Sequence, residues 1–251
     1  MNLFNTQRYS HDDRLTLDGA PIRLRVDARA SRVSLRIDQA KREVVATAPT
    51  ARRLPEAVAF ARERAVWIAG QLVRLPAATA LHPGQVIEVL GAPCRLEAGT
   101  GRARLYAATN DQPMRIVAKA DDRFAATVAR LLKAEAKRIL AERTAVHAAA
   151  LKQPLPTVAV MDARGRWGSC TPARKSGFAA SAQVGRIRYS WRLVLAPHAV
   201  LDYVAAHECA HLVEANHGPN FWALVRDLVG DPKAHRAWLR AHGAKLHAFG
   251  A

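Results

Sequence analysis

The chain has 251 residues, half of them hydrophobic, with 38 Lys and Arg against 21 Asp and Glu, a formal net charge of +17. That composition excludes an intrinsically disordered chain and leaves room for one large domain or two small ones. Three cysteines, Cys94, Cys170 and Cys209, do not make a disulfide framework and fit a reducing compartment. No run of about 18 residues is free of charge, so no membrane-spanning helix is expected. Residues 1–15 are too polar for a signal peptide. The cytoplasm is therefore the expected location. A positive field of this size favours polyanions, nucleic acid among them, through the basic surface; an arginine bias in an alanine-rich chain accounts for it equally well.

Residues 21–26 and 32–37 alternate apolar with arginine or serine: Ile22, Leu24 and Val26 against Arg23 and Arg25, then Val33, Leu35 and Ile37 against Arg32, Ser34 and Arg36. With the short apolar run 44–48 they read as half-buried antiparallel strands. Residues 55–75 carry Val58, Ala61, Ala65, Ile68 and Leu72 at helical spacing, stopped by Pro76. Further strands are expected within 86–96 and 104–117, with loops at Gly91-Ala92-Pro93 and at 110–113. A long amphipathic helix over 121–151 buries Phe124, Val128, Leu131, Leu132, Ile139 and Leu140. Then come a strand at 154–161, a glycine-broken segment at 164–170, and two strands near 178–183 and 189–193. Three helices follow at 197–215, 219–229 and 232–247, each opened by a proline in its first turn. The plan is α+β: a strand-rich N-terminal part with one helix over 1–118, then a more helical part over 119–251. No internal repeat is seen.

The chemistry lies in the last part. His207-Glu208-Cys209-Ala210-His211 is an H-E-x-x-H motif. On a helix, residues four apart lie one above the other, so His207 and His211 can offer imidazole nitrogens to one zinc ion. Glu208 lies about 100° round the helix, out of reach of the ion but within reach of a water beside it. There it is a candidate general base. Apolar neighbours Leu201, Val204, Ala205 and Leu212 imply a buried helix, and buried polar side chains need partners. A catalytic zinc takes a third protein ligand. His217 is the first candidate, with Asn216 able to take the left-handed turn that would end the helix. Glu214 and Asp227 are its rivals. Metzincins share this ligand spacing but place a glycine where this chain has Glu214, which argues against that group. His198, His235, His242 and His247 lack such spacing and read as surface, helix-end or supporting residues.

The stretch HECAHLVEANHGPNFW, residues 207–222, resembles the signature of the YgjP-like predicted metal-dependent hydrolases, which are similar to SprT-like and Wss-type metalloproteases. RWGSC at 166–170, YSWRLVLAP at 189–197, the arginine-alternating strands and Trp67-Ile68 fit the same pattern. Cys209 departs from it, standing where that family often has leucine. The resemblance implies a zincin-like metallopeptidase domain with an active-site HExxH helix. It implies zinc on His207, His211 and His217, Glu208 as catalytic base, and Trp167, Gly168 and Ser169 beside a peptide or protein substrate lying along a strand edge. Arg192 and Tyr203 are candidate oxyanion donors. Two alternatives stand beside peptide hydrolysis: a nucleic-acid-associated protease acting on DNA-bound proteins, and a non-catalytic zinc-stabilised binding module, which would need a fourth ligand such as Cys170.

Overall fold

The first hairpin is made by its turn. Asp18 and Gly19 take φ of 49° and 79°, the left-handed pair that a two-residue type I′ turn needs. They join β1 (Arg14–Leu17) to β2 (Ala20–Val26). The computed structural model describes residues 8–38, 41–75, 79–163, 165–173 and 184–249. Its chain divides into two compact units, 1–77 and 78–250.

In the first unit, β3 (Ser34–Asp38) and β4 (Glu43–Ala48) complete a sheet of order β1-β2-β4-β3. β3 and β4 pair antiparallel as expected, but β2 and β4 run parallel. After Val26 the chain passes over the place beside β2, and β4 fills it on return. The helix expected over 55–75 is two, α1 (Leu54–Glu63) and α2 (Ala65–Val73), broken where Arg64 leaves helical geometry at φ −100° and ψ 14°; Pro76 lies outside the described residues. The break lets Ile68 of α2 join Leu54, Val58 and Ala61 of α1 on the core formed by Ile22, Leu24, Val44 and Ala46. The arginines of the outer face are partly paired. Arg23 bonds the buried Glu43 at 3.0 Å and Asp12 at 2.9 Å, and Arg25 bonds Asp27 at 2.8 Å.

The second unit begins by repeating the first. β5 (Val86–Val89), β6 (Ala92–Ala98), β7 (Arg104–Tyr106) and β8 (Met114–Ala118) form a sheet of order β5-β6-β8-β7. It has the same sequence of antiparallel, parallel and antiparallel pairings as the first sheet. The turn, Leu90-Gly91, again has two positive φ angles, 54° and 83°, so Ala92-Pro93 starts β6 and is not loop. The residues agree too: GAPIRL at 19–24 and GAPCRL at 91–96, with Ile22 and Leu24 buried in one and Cys94 and Leu96 in the other. This internal repeat escapes inspection of the sequence because identity survives only around the turn, where the backbone demands it.

β8 leads to α3 (Phe124–Ala150). The β5–β8 sheet and α3 share one core, with Ile87, Leu96 and Ile116 packed with Phe124, Val128 and Leu132. The division of the chain accordingly falls at 77/78 and not at the 118/119 suggested by element type. A third sheet follows, order β10-β11-β9, from β9 (Thr157–Met161), β10 (Gly168–Thr171) and β11 (Arg186–Ser190). β11 runs into a tight 3-10 turn at Trp191–Leu195, which takes up most of the strand expected near 189–193. The strand expected near 178–183 lies outside the described residues. The last helices are α4 (His198–Ala210), α5 (Pro219–Val229) and α6 (Lys233–His247). α4 stops five residues short of expectation.

α4 is held from behind by α3. Asp202 of α4 accepts Arg143 Nε at 2.7 Å, Arg143 Nη2 at 3.2 Å and His147 Nε2 at 2.6 Å. Two turns on, the Cys209 thiol faces the Thr144 carbonyl at 3.7 Å. His147 is only 2 % exposed, so loss of its partner strands a buried polar ring. Burial alone would raise the Asp202 carboxyl; the hydrogen bonds from His147 and Arg143 outweigh it and hold the group at about 2. Asp202→Ala is expected to lower unfolding free energy by about 3 kcal/mol in urea denaturation. Because the folded pKa lies below the unfolded one, this stabilisation is complete above about pH 4 and is lost as pH falls toward 2. The wild-type protein should therefore lose stability more steeply than the variant across that window.

Candidate metal centre

α4 is buried on most of its surface, through Val200, Leu201, Val204, Ala205 and Ala206 among others. Only a narrow strip, with His207 and His211, remains to face a cavity. His211 stands at the helix cap but keeps near-helical angles, φ −68° and ψ −12°, so its one-turn spacing from His207 survives. The chain then unwinds through short turns in which the Leu212, Val213 and Glu214 amides return to Cys209 and Ala210. Asn216 is not in the left-handed region, contrary to the sequence expectation. Those turns, and an extended Gly218 before Pro219, bring His217 back over the helix.

His207 Nε2 and His217 Nε2 lie 3.1 Å apart, and ligand nitrogens of His207, His211 and His217 all lie within 4.8 Å of one another. Two nitrogens bound to one tetrahedral zinc at about 2.0–2.1 Å would be about 3.3 Å apart, so the donor set fits such an ion. Among the described residues this is the group that could hold a metal; Glu214, Asp227 and Cys170 are not in it. Glu214 takes another part, since its backbone carbonyl accepts from His211 Nδ1 at 3.0 Å. That bond places the His211 proton on Nδ1 and leaves Nε2 free as a ligand. Phe221, fully buried, packs against all three imidazoles at ring distances of 4.9, 4.5 and 4.7 Å. Burial pushes His207 down to about 4, with His211, His217 and Arg236 acting in the same direction. His217 moves down for the same kinds of reason. Both are therefore neutral near pH 7, the form that binds metal.

Glu208 is 6 % exposed. Burial pushes its carboxyl up to about 7, with Arg166 pulling the other way. Its side chain lies against Gly168 of the edge strand β10. A Cβ at Gly168 would come within 2.6 Å of Glu208 Cγ and Cδ. Gly168 is thus required by close approach, not by a turn. Ser169 follows on β10 opposite Arg188. Trp167 stacks on His247 at 4.6 Å and sits over Gly243, whose missing side chain makes room for the indole. Gly168, Ser169 and Cys170 border a cavity of about 400 Å³ together with Glu208 and the three histidines.

Arg192 does not take part. It is buried, bonded to the Phe249 carbonyl at 2.9 and 3.2 Å and paired with Asp162. Tyr203 does border the site, one turn before His207 with ring centres 6.0 Å apart. His235 stacks on Tyr203 at 5.7 Å, and His242 on Trp238 at 4.5 Å. Sequence reasoning misses Phe221 and the pair Arg236–Trp222, whose guanidinium lies 4.7 Å from the indole centre. Phe221 carries a signal in hindsight, standing four residues after His217 at the start of a helix.

Titration of chelator-treated protein with Zn²⁺ should give one ion per chain. Each of His207→Ala, His211→Ala and His217→Ala should weaken binding by at least about 100-fold, beyond the loss from outer partners. Glu214→Ala should leave it unchanged; a loss equal to that of His217→Ala would make Glu214 the third ligand.

Neither a curated protein nor a solved structure matches the chain. A family model does, described as YgjP-like, metallopeptidase domain, over residues 31–242. That span runs from β3 to α6 and includes the three histidines, Glu208 and the glycine that admits its carboxylate. The chain belongs to the YgjP-like metallopeptidase domain family.

Proposed function

We propose that the protein is a zinc-dependent peptidase in which His207, His211 and His217 hold the ion and Glu208 is the general base. The observation that carries this reading is the convergence of three imidazole nitrogens beside a carboxylate seated against an edge strand. A set of three neutral imidazoles suits zinc and leaves a coordination position open. Zinc bound there supplies Lewis acidity toward a carbonyl and lowers the pKa of water. Glu208 takes a proton from the attacking water as the new C–O bond forms, then delivers it to the departing amine nitrogen as the C–N bond breaks. Burial favours its protonated form, ready to give the proton back. A nearby dication favours the carboxylate that accepts it, so the two influences bring the group near balance.

β10 pairs with β11 on one side and is the edge of its sheet among the described residues. Its other side offers backbone N–H and C=O groups to an extended peptide. The side chains of Trp167 and Ser169 flank that edge in this reading, with Gly168 at the point nearest the base. The net charge is shared between the two units, +6 over residues 1–77 and +11 over the rest, and marks neither as a nucleic-acid-binding part. It therefore lends no particular support to the nucleic-acid reading. A closed structural zinc site would need four ligands, and the group here has three. No helix among the described residues is long and apolar enough to cross a membrane.

Glu208→Gln should retain one zinc per chain by elemental analysis and lose at least about 100-fold in kcat/KM on a cleaved peptide. Undiminished turnover in that variant would remove Glu208 from the chemistry. Gly168→Ala should also keep the metal, because the atoms nearest a Cβ there belong to Glu208 and not to a histidine. It should displace the Glu208 carboxylate and cut turnover by about 10- to 100-fold.

A further inference from the structure

Two cavities meet at the base. The larger, of about 400 Å³, is the one bordered by the three histidines. A second, of about 280 Å³, shares Gly168, His207 and Glu208 with it and continues on the other side between Trp167, Tyr203, Val204 and Leu239, with Arg166 beside them. We propose that this second cavity receives the substrate side chain next to the scissile bond and selects an aromatic or long apolar residue over a small or basic one. The proposal rests on the peptidase reading and adds a substrate class to it.

Size is the first reason. Sites for cofactors and small-molecule ligands run from about 300 to 1,000 Å³, so this cavity is suited to a single side chain. Position is the second. A pocket whose wall includes Glu208 and His207 lies beside the proposed point of bond cleavage. The third is the wall itself. Trp167 is braced by His247 on one side and by α6 at Gly243. Tyr203 is 5 % exposed and stacked on His235, and Val204 is buried. These surfaces are already formed and largely apolar, so an apolar side chain gains by leaving water there and little has to be ordered first. The Tyr203 hydroxyl has no hydrogen-bond partner among the described residues. It can meet a substrate oxygen. Charge supplies the last reason. Arg166 is exposed and has no carboxylate ion-pair partner within 4.0 Å among the described residues. It opposes a lysine or arginine entering beside it.

The test uses the zinc-loaded full chain with a mixed peptide library, cleavage sites being read by mass spectrometry. Matched peptides then carry Phe, Leu, Ala or Lys at the enriched position. Phe or Leu should exceed Ala by roughly 10- to 100-fold in kcat/KM, and Lys should be the poorest. Leu239→Trp fills the cavity and should bring the Phe/Ala ratio toward one; Leu239→Ala enlarges it and should shift preference toward Trp. Arg166→Glu should raise Lys relative to Phe by about 10-fold. Each result is a ratio within one variant, so a partial loss of folded or metal-loaded protein cancels. Glu208-dependent cleavage whose selectivity ignores both Leu239 variants overturns the subsite and leaves the peptidase reading standing. Absence of any zinc- and Glu208-dependent cleavage across the library overturns both.

Discussion

The rotation of α4 about its own axis is the constraint on which the site depends. Asp202 and Cys209 are seven residues apart, two turns, and so share a face. That face is bound to α3 through Arg143, His147 and the Thr144 carbonyl. The imidazoles leave the helix on another side. An imidazole nitrogen lies about 6 Å from a helix axis, so a rotation of about 20° would carry it roughly 2 Å, the length of a zinc–nitrogen bond. Apolar packing alone tolerates small rotations; a carboxylate held by a guanidinium and an imidazole does not. The ion-pair cluster behind the helix is therefore part of what sets the imidazole geometry in front of it.

Burial acts on the site in two opposite electrostatic senses. It pushes His207 down and Glu208 up, favouring the neutral form of each. For the imidazole, neutrality is the ligating state. For the carboxyl, neutrality would be only half of the proposed cycle, and the other half would need a positive charge close by. Arg166 supplies some of it. A dication on the three nitrogens would supply more, and would do so in surroundings where Phe221 and the apolar α4 core keep screening low. The same desolvation that favours neutral imidazoles would thus make the Glu208 carboxyl responsive to a cation bound beside it.

The parts of this structure legible in the sequence are those with a local period. The α3 helix shows helical spacing, α5 and α6 open at Pro219 and Pro232, and the HExxH spacing is itself a statement about one helical turn. His217 could be named from its distance along the chain, though the turn that delivers it differs from the one Asn216 suggested. What was not legible depends on partners distant in sequence. His147 and Asp202 mean nothing until α3 and α4 pack. Gly168 looks like a turn residue until Glu208 is placed against it. The parallel β2–β4 pairing cannot be read from alternation, which is the same for either direction. The break at Arg64 answers to the sheet beneath it, not to any proline or glycine nearby.

The repeated module shows how one turn can acquire two uses. At Asp18-Gly19 both residues are exposed, and the turn only reverses the chain. At Leu90-Gly91 the same geometry carries a leucine in the left-handed region, a strain of about 1 kcal/mol. There the Leu90 amide donates to the Val194 carbonyl at 2.8 Å, and its own carbonyl accepts the His198 amide at 3.3 Å, the first donor of α4. Gly91 lies so near Pro197 that a side chain would press on it at 3.3 Å. The second turn has become a bearing for the start of α4, the helix that carries His207. A loop or fluorescent domain spliced between Asp18 and Gly19 would start from two exposed residues, whereas the same splice between Leu90 and Gly91 would unseat α4 at its root. In this chain, tolerance to insertion divides two copies of one motif that their residues alone make look alike.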